Sequence, residues 1–385
     1  AGRRIRQQAR TIDVLPTVLD LMDGRAPADA AGISLAPAIS GKDLPATESY
    51  AETLFPKINM GWTELRGLRT ARWKYIRAPE PELYDLVSDP AETRNVIASH
   101  PKEARELDAR LAAVVGNRGP EKVETAVLDR TTMQQLKSLG YSAGFAEREY
   151  TLTGQGVDPK DRTDVLKWLY LAVSPDARTP AAQRLGLLKQ ALARDPGNPS
   201  IYLHLGDEYQ RAGRARDALA LYEQGVEHGV RAAWLYSRLG FLRLQQGNKD
   251  GAIAAYERAA QLNPSDCESL NDLGLTYLET GRPKEAQRVL AWCLATEPEN
   301  ALAHNGLGLV AIRRQDLLGA RNHFEKAVQF DPDLLEAYLN LGRIYKMLGG
   351  NTRARECFET FLAKASPAQY GHIIPRIREE VAALR

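Results

Sequence analysis

Three cysteines, Cys267, Cys293 and Cys357, and six histidines are the side chains of this 385-residue chain best suited to nucleophilic or metal chemistry. Their spacing argues against either use. Cysteines of a redox or zinc site come as C-x-x-C pairs or with histidines a few residues away, and this chain has no such grouping. All three cysteines fall in the second half of the chain, where a small, buried, apolar residue is their ordinary role. Neither a disulfide framework nor a zinc site is therefore expected. His100, His228 and His372 stand alone, and His204, His304 and His323 fall at positions of a helical repeat. Gly154 and Gly156 lack the third glycine and the preceding strand of a dinucleotide loop. No P-loop, H-E-x-x-H or G-x-S-x-G segment occurs, and each of those chemistries depends on that local spacing.

The charge balance excludes further classes. There are 51 Lys and Arg against 49 Asp and Glu, a net charge of +2, with the two signs interleaved. That gives no field for nucleic acid or an anionic membrane. The basic start (Arg3, Arg4, Arg6, Arg10) is too short to change this. No apolar run reaches the roughly 18 residues of a membrane segment. A 44% hydrophobic composition supports sizeable cores, and the length suggests two or three domains. The chain opens Ala-Gly-Arg-Arg with no methionine, and its first periodic element, Ile12 to Met22, follows at once. It reads as a piece of a longer protein.

The elements that position side chains are plainest in the second half. Glycines stand at Gly206, Gly240, Gly274, Gly308 and Gly342, 34 residues apart, each preceded by leucine. Twelve residues after each comes an alanine: Ala218, Ala252, Ala286, Ala320 and Ala354. Four further on stands a bulky residue: Tyr222, Tyr256, Leu290, Phe324 or Phe358. Pro264, Pro298 and Pro332 end the second helix of their units, since proline cannot continue a helix. Glycine on one helix and alanine on the next let an antiparallel pair approach closely around the bulky position.

This pattern resembles the tetratricopeptide repeat family over 199–368, as repeats 199–232, 233–266, 267–300, 301–334 and 335–368. Residues 163–198 resemble a degenerate repeat, with Ala191 and Pro196 in register, and 369–385 a capping helix of the kind such arrays need. In the family the first helix of each repeat, helix A, lines a groove with residues three before, one after and four after the glycine. The resemblance therefore implies a peptide groove formed by Phe241, Leu244, Asn271, Leu275, Leu278, Asn305, Leu309 and Ile312. The apolar members form a strip across the middle three repeats, and the two asparagines can bond a peptide backbone. The competing role for these residues is packing inside the repeats. The family's clamp for C-terminal carboxylates is not matched, since Asn340 alone sits at one of its positions.

The first third alternates differently. Tyr50–Thr53, Leu65–Thr70, Trp73–Arg77 and Glu82–Leu86 read as strands, the middle two as a hairpin through Ala71 and Arg72. A turn at Asp89–Asn95 then leads into a helix over Lys102–Val115. In order, "TIDVLPTVLDL", "GISLAPAISG", "WKYI" and "ELYDLVSDPAETRNV" resemble the C-terminal end of a sulfatase-type hydrolase of the alkaline-phosphatase superfamily. "LKSLGY" (136–141) and "DPKDR" (158–162) resemble the connection in bacterial proteins that join such a hydrolase to these repeats. The expected architecture is a small α+β subdomain over 1–141 (an antiparallel sheet with a packed helix), a linker over 142–162, and an all-α solenoid.

The resemblance also implies what lies elsewhere. Sulfatases carry a Cys- or Ser-x-Pro-x-Arg segment and a divalent cation of calcium type near the start of the catalytic domain. Here no cysteine is followed by proline and arginine at those places, and the nearest match, Ser88–Glu92, ends in glutamate. No catalytic residue, metal ligand or cofactor is assigned to this chain, which alone is expected to be inactive. Lys57 and Trp62, in the segment after the Glu52 strand, are candidates for the lip of a substrate pocket in the intact protein. The implied partners are a protein or peptide in the groove and the catalytic domain of the same protein. The implied compartment is the bacterial periplasm or cell envelope. The reading is a protein-interaction solenoid on the end of a sulfuric-ester hydrolase. The alternatives are a phosphatase- or phosphodiesterase-like parent, or a catalytically dead scaffold.

Overall fold

The computed structural model describes residues 8–25, 27, 30, 32–116, 154–174 and 178–384. The basic start through Arg6, the 136–141 segment and the first part of the expected linker lie outside them. The described residues divide into two units, one ending at Ser200 and the other beginning at Ile201.

The first unit is built on four antiparallel strands in sequential order: β1 (Ser49–Thr53), β2 (Leu65–Arg69), β3 (Trp73–Arg77) and β4 (Glu82–Asp85). The register places Leu68 opposite Tyr75 and Tyr75 opposite Leu83. Strand alternation thus stacks three large side chains on one face. The helix Pro101–Val115 covers that face with Ala104, Leu107 and Leu111, spaced as one helical stripe. Asp108, between Leu107 and Leu111 on the same helix, accepts from the Tyr75 hydroxyl at 2.9 Å and from Arg77 Nε at 2.7 Å. Burial, and then the Asp108 charge, push the Tyr75 hydroxyl up to about 12.

Upstream, the helix Val14–Leu21 is pinned by its polar side. Asp13 is fully buried and accepts from Arg10 Nη2 at 2.8 Å and from the Ile33 amide at 2.9 Å. Burial opposes its ionisation, but Arg10 and these amides hold its carboxyl below the usual range. Thr17 accepts from the Leu35 amide at 2.9 Å, at the entry of the short helix Ala36–Ile39. The opposite side of Val14–Leu21 is bare. Ile12, Val14, Leu15, Leu21 and Met22 are all at least half exposed.

The segment after β1 that carries Lys57 is a short helix, Phe55–Met60, ended by Gly61 in the left-handed region at φ 71°. Residues 154–162 lie along the sheet unit. The Thr63 amide donates to the Val157 carbonyl at 3.0 Å, the Gly154 amide to Glu64 Oε1 at 2.9 Å, and the Glu80 amide to Asp158 Oδ2 at 3.2 Å. Lys160 joins Glu80, Glu82 and Asp158. The helix pair Thr163–Val173 and Ala181–Arg194 follows, and its C-terminal turn reaches back: Trp62 Nε1 donates to Asp195 Oδ2 at 2.7 Å, 133 residues away.

The second unit is the repeat array. Helix A and helix B of the five repeats are Pro199–Arg211 with Ala215–Glu227, Ala233–Gln245 with Lys249–Leu262, Cys267–Glu279 with Pro283–Thr296, Ala301–Arg313 with Leu317–Phe330, and Leu335–Met347 with Asn351–Lys364. A side chain at the repeating glycine would collide with the bulky helix-B residue. A Cβ on Gly308 would stand 2.5 Å from the Phe324 ring, and one on Gly342 2.5 Å from Phe358. That close approach is why only glycine recurs there. Asn248, Asp266, Asn300 and Asp316 cap helices by accepting an amide three residues on. The array closes with Pro367–Tyr370 and Ile374–Ala383, whose Ile374 and Ile377 bury against Phe358 and Phe361.

One expectation for the cysteines is overturned. Cys267, at the start of helix A in the third repeat, is disulfide-bonded to Cys293 on helix B, with Cα atoms 5.0 Å apart. Both are buried, as small core residues would be. The bridge arises because the 26-residue separation puts the entry of one helix beside the end of its partner. Cys357 is free, and burial pushes its thiol up to about 11.

Candidate peptide-binding face

Successive A helices stack, and the eight expected groove residues divide into two groups. Phe241 and Leu275 are 44% and 37% exposed, large apolar side chains offered to solvent on neighbouring helices. Leu244 and Leu309 are partly buried against the core of the second to fourth repeats, and Leu278 is inside it. Leu309 and Ile312 also pack against the cluster of Ala311, Phe324 and Ile344. The strip is therefore a ridge of two exposed residues on a floor of packed ones.

Both asparagines are buried and partly used within the array. Asn271 Nδ2 donates to Asn300 Oδ1 at 3.1 Å, and Asn305 Oδ1 accepts from Asn340 Nδ2 at 3.1 Å. Asn271 Oδ1 is buried and has no hydrogen-bond partner among the described residues.

The N-terminal flank of the strip is polar and satisfied. Arg238 reaches Gln210 Oε1 at 3.0 Å and Asp207 at 3.6 Å, while Gln210 Nε2 donates to the Tyr222 hydroxyl at 3.2 Å. One repeat further on, the corresponding residues are Asp272, Phe241, Leu244 and Tyr256. Asp272 is half-buried, and the buried Tyr256 hydroxyl makes no hydrogen bond among the described residues. Sequence reasoning passed over Asp272 because it looked only at positions three before, one after and four after the glycine. Laying the repeats over one another would have shown an acid where its neighbour carries Arg238.

His304 and His323 form a second polar pair, with Nδ1 atoms 3.2 Å apart. His304 Nε2 lies 3.2 Å from the Pro298 carbonyl. That carbonyl only accepts, so neutral His304 carries its proton on Nε2 and takes a hydrogen bond from His323 at Nδ1. Burial holds both imidazoles below the usual histidine range.

Of the two expected lip residues, Trp62 points inward. It is 1% exposed and its indole is held by Asp195, so only Lys57, half-buried on the helix Phe55–Met60, keeps a side chain toward solvent. Among the described residues, the one group of three potential metal ligands is Cys267, Cys293 and Glu297. Its sulfurs are taken by the disulfide, and thiolates do not suit a calcium-type cation, which wants several oxygens.

Known proteins resemble the two parts of the chain separately. Residues 1–116 match the family model described as N-sulphoglucosamine sulphohydrolase, C-terminal. Tetratricopeptide-repeat models match 179–238, 240–281, 271–334 and 323–356. A Delta 4,5-hexuronate-2-O-sulfatase of Bacteroides thetaiotaomicron is 34% identical over 120 residues, covering 28% of this chain and 25% of that protein. The BBSome complex member bbs-4 of Caenorhabditis elegans is 38% identical over 95 residues, 25% of this chain and 21% of that one. The crystal structure of a tetratricopeptide repeat protein from Parabacteroides merdae covers 58% of this chain and 99% of its own, at 18% identity and a TM-score of 0.46. The chain spans a fifth to a quarter of the length of the first curated relatives it matches. It joins a sulfatase-type C-terminal domain to a tetratricopeptide-repeat array, a scaffold for protein–protein interaction.

Proposed function

We propose that the array holds an extended peptide across its middle repeats and that the sheet unit closes the catalytic domain of a sulfuric-ester hydrolase. The observation that carries the first part is the pair Phe241 and Leu275, exposed on consecutive A helices above a packed apolar floor. Large apolar side chains left together on a surface mark an interaction site.

The second part is supported by the family match of residues 1–116 and by the bare side of the helix Val14–Leu21. Ile12, Leu15 and Met22 are exposed on an element otherwise fixed by buried hydrogen bonds. A catalytic domain would cover them and would supply the nucleophile and the divalent cation, while the repeats hold it to a partner.

Selection of a random heptapeptide library displayed on phage tests the groove. Enriched sequences should share apolar residues, and a Phe241→Glu/Leu275→Glu double variant with an unchanged circular dichroism spectrum should lose them. Retention of the same peptides by that variant would exclude this face.

A further inference from the structure

The 34-residue translation that carries Arg238 to Asp272 also carries Asp207 to Phe241, Gln210 to Leu244 and Tyr222 to Tyr256. At the first of these two junctions every polar group has a partner. Arg238 meets Asp207 and Gln210, and the Tyr222 hydroxyl takes the Gln210 amide. At the second, both former partners are apolar. Among the described residues no lysine or arginine pairs with Asp272, and the acids Glu268 and Asp266 stand nearest to it.

Burial, followed by the charge of Glu268, pushes the Asp272 carboxyl up to about 6, and only the Tyr256 hydroxyl eases it. That hydroxyl lies toward the carboxylate without reaching hydrogen-bond geometry, and its residue is fully buried. A half-buried carboxylate whose one neighbouring donor is a phenolic hydroxyl outside hydrogen-bond geometry is a site short of donors. Leu275 stands three residues on, hence on the same side of the helix, and Phe241 occupies the place from which Asp207 meets Arg238.

We propose that Asp272, between Tyr256, Phe241 and Leu275, binds the cationic side chain of a lysine or arginine in an otherwise apolar extended peptide. The ammonium or guanidinium group supplies what Arg238 supplies one repeat earlier, a set of donors with positive charge. The peptide's apolar flanks cover Phe241 and Leu275. This inference rests on the peptide-binding reading of the array and adds the identity of one recognised residue.

The test uses fluorescence anisotropy on the full chain with two labelled peptides. One is Ser-Leu-Ala-Lys-Ala-Leu-Ser with blocked ends, and the other is the same peptide with its lysine acetylated, which removes the charge and turns the ammonium into a neutral amide. The wild type should bind the first at least tenfold more tightly, and added salt should shrink the difference. Asp272→Asn keeps the shape of the side chain and should bring the two affinities together. No preference in the wild type, or a preference that survives in Asp272→Asn, overturns the cation site. The wild-type comparison of the two peptides does not depend on any variant folding. If Leu275→Glu leaves the affinity for both peptides unchanged, they bind elsewhere and the face itself is overturned. If Leu275→Glu abolishes binding while lysine and acetyl-lysine bind alike, the face stands and only the cation site fails.

Discussion

In the sheet unit Trp62 finds its hydrogen-bond partner 133 residues away, whereas in the array Gly308 meets Phe324 sixteen residues on, and Gly342 meets Phe358 at the same interval. One unit is held by single long-range contacts between unlike elements. The other repeats one short-range contact five times. An array of that kind tolerates the loss of a standard residue in one unit, because each repeat leans only on its neighbours. The first unit has no such reserve. Trp62, Asp195, Asn198 and Met60 form one polar and apolar knot that joins the sheet region to the helix pair before the array.

The largest expected effect falls on that knot. Trp62→Ala leaves a cavity and an unpaired buried Asp195, and should cost about 4 kcal/mol in the first unit. Hydrogen exchange should quicken at Leu107 and Leu111 and stay unchanged at Leu270 and Tyr277. Equal quickening in both places would show that the two units do not differ in this way.

Reduction of the Cys267–Cys293 bridge is the complementary perturbation. It should lower the stability of the array by about 3 kcal/mol, from the entropy of a chain loop of that size, and leave the sheet unit unaffected. Alkylation under denaturing conditions should modify one cysteine without reductant and three with it. Three modified cysteines in both samples would remove the bridge.

Acidification gives the smallest effect and again addresses the array. His304 and His323 are held below the ordinary value of 6.5, so the fold favours their neutral forms. Their contribution is present above that pH and is lost as pH falls below it, when protons on both Nδ1 atoms would face each other. In urea titrations, His323→Asn should flatten the pH dependence of array stability between pH 7 and 5. An unaltered slope would place the acid sensitivity elsewhere.

The sequence alone determined the array, the sheet and the class of each. Glycine, alanine and bulky residues at a fixed interval can satisfy only one helix-pair geometry, and alternating strands around Trp73 and Tyr75 only one hairpin. Both signals are local in the chain. Tertiary structure decided the matters that depend on distant residues meeting. It turned Trp62 inward to Asp195, because an indole N–H needs a partner once buried. It brought Cys267 to Cys293 across a pair of helices, a meeting that no C-x-x-C spacing announces. It also separated the exposed Phe241 and Leu275 from the packed Leu278, and left Asp272 without a basic partner where Arg238 has acidic and amide ones. Burial and charge pairing are properties of the assembled surface, and the linear spacing of residues carries them only in part.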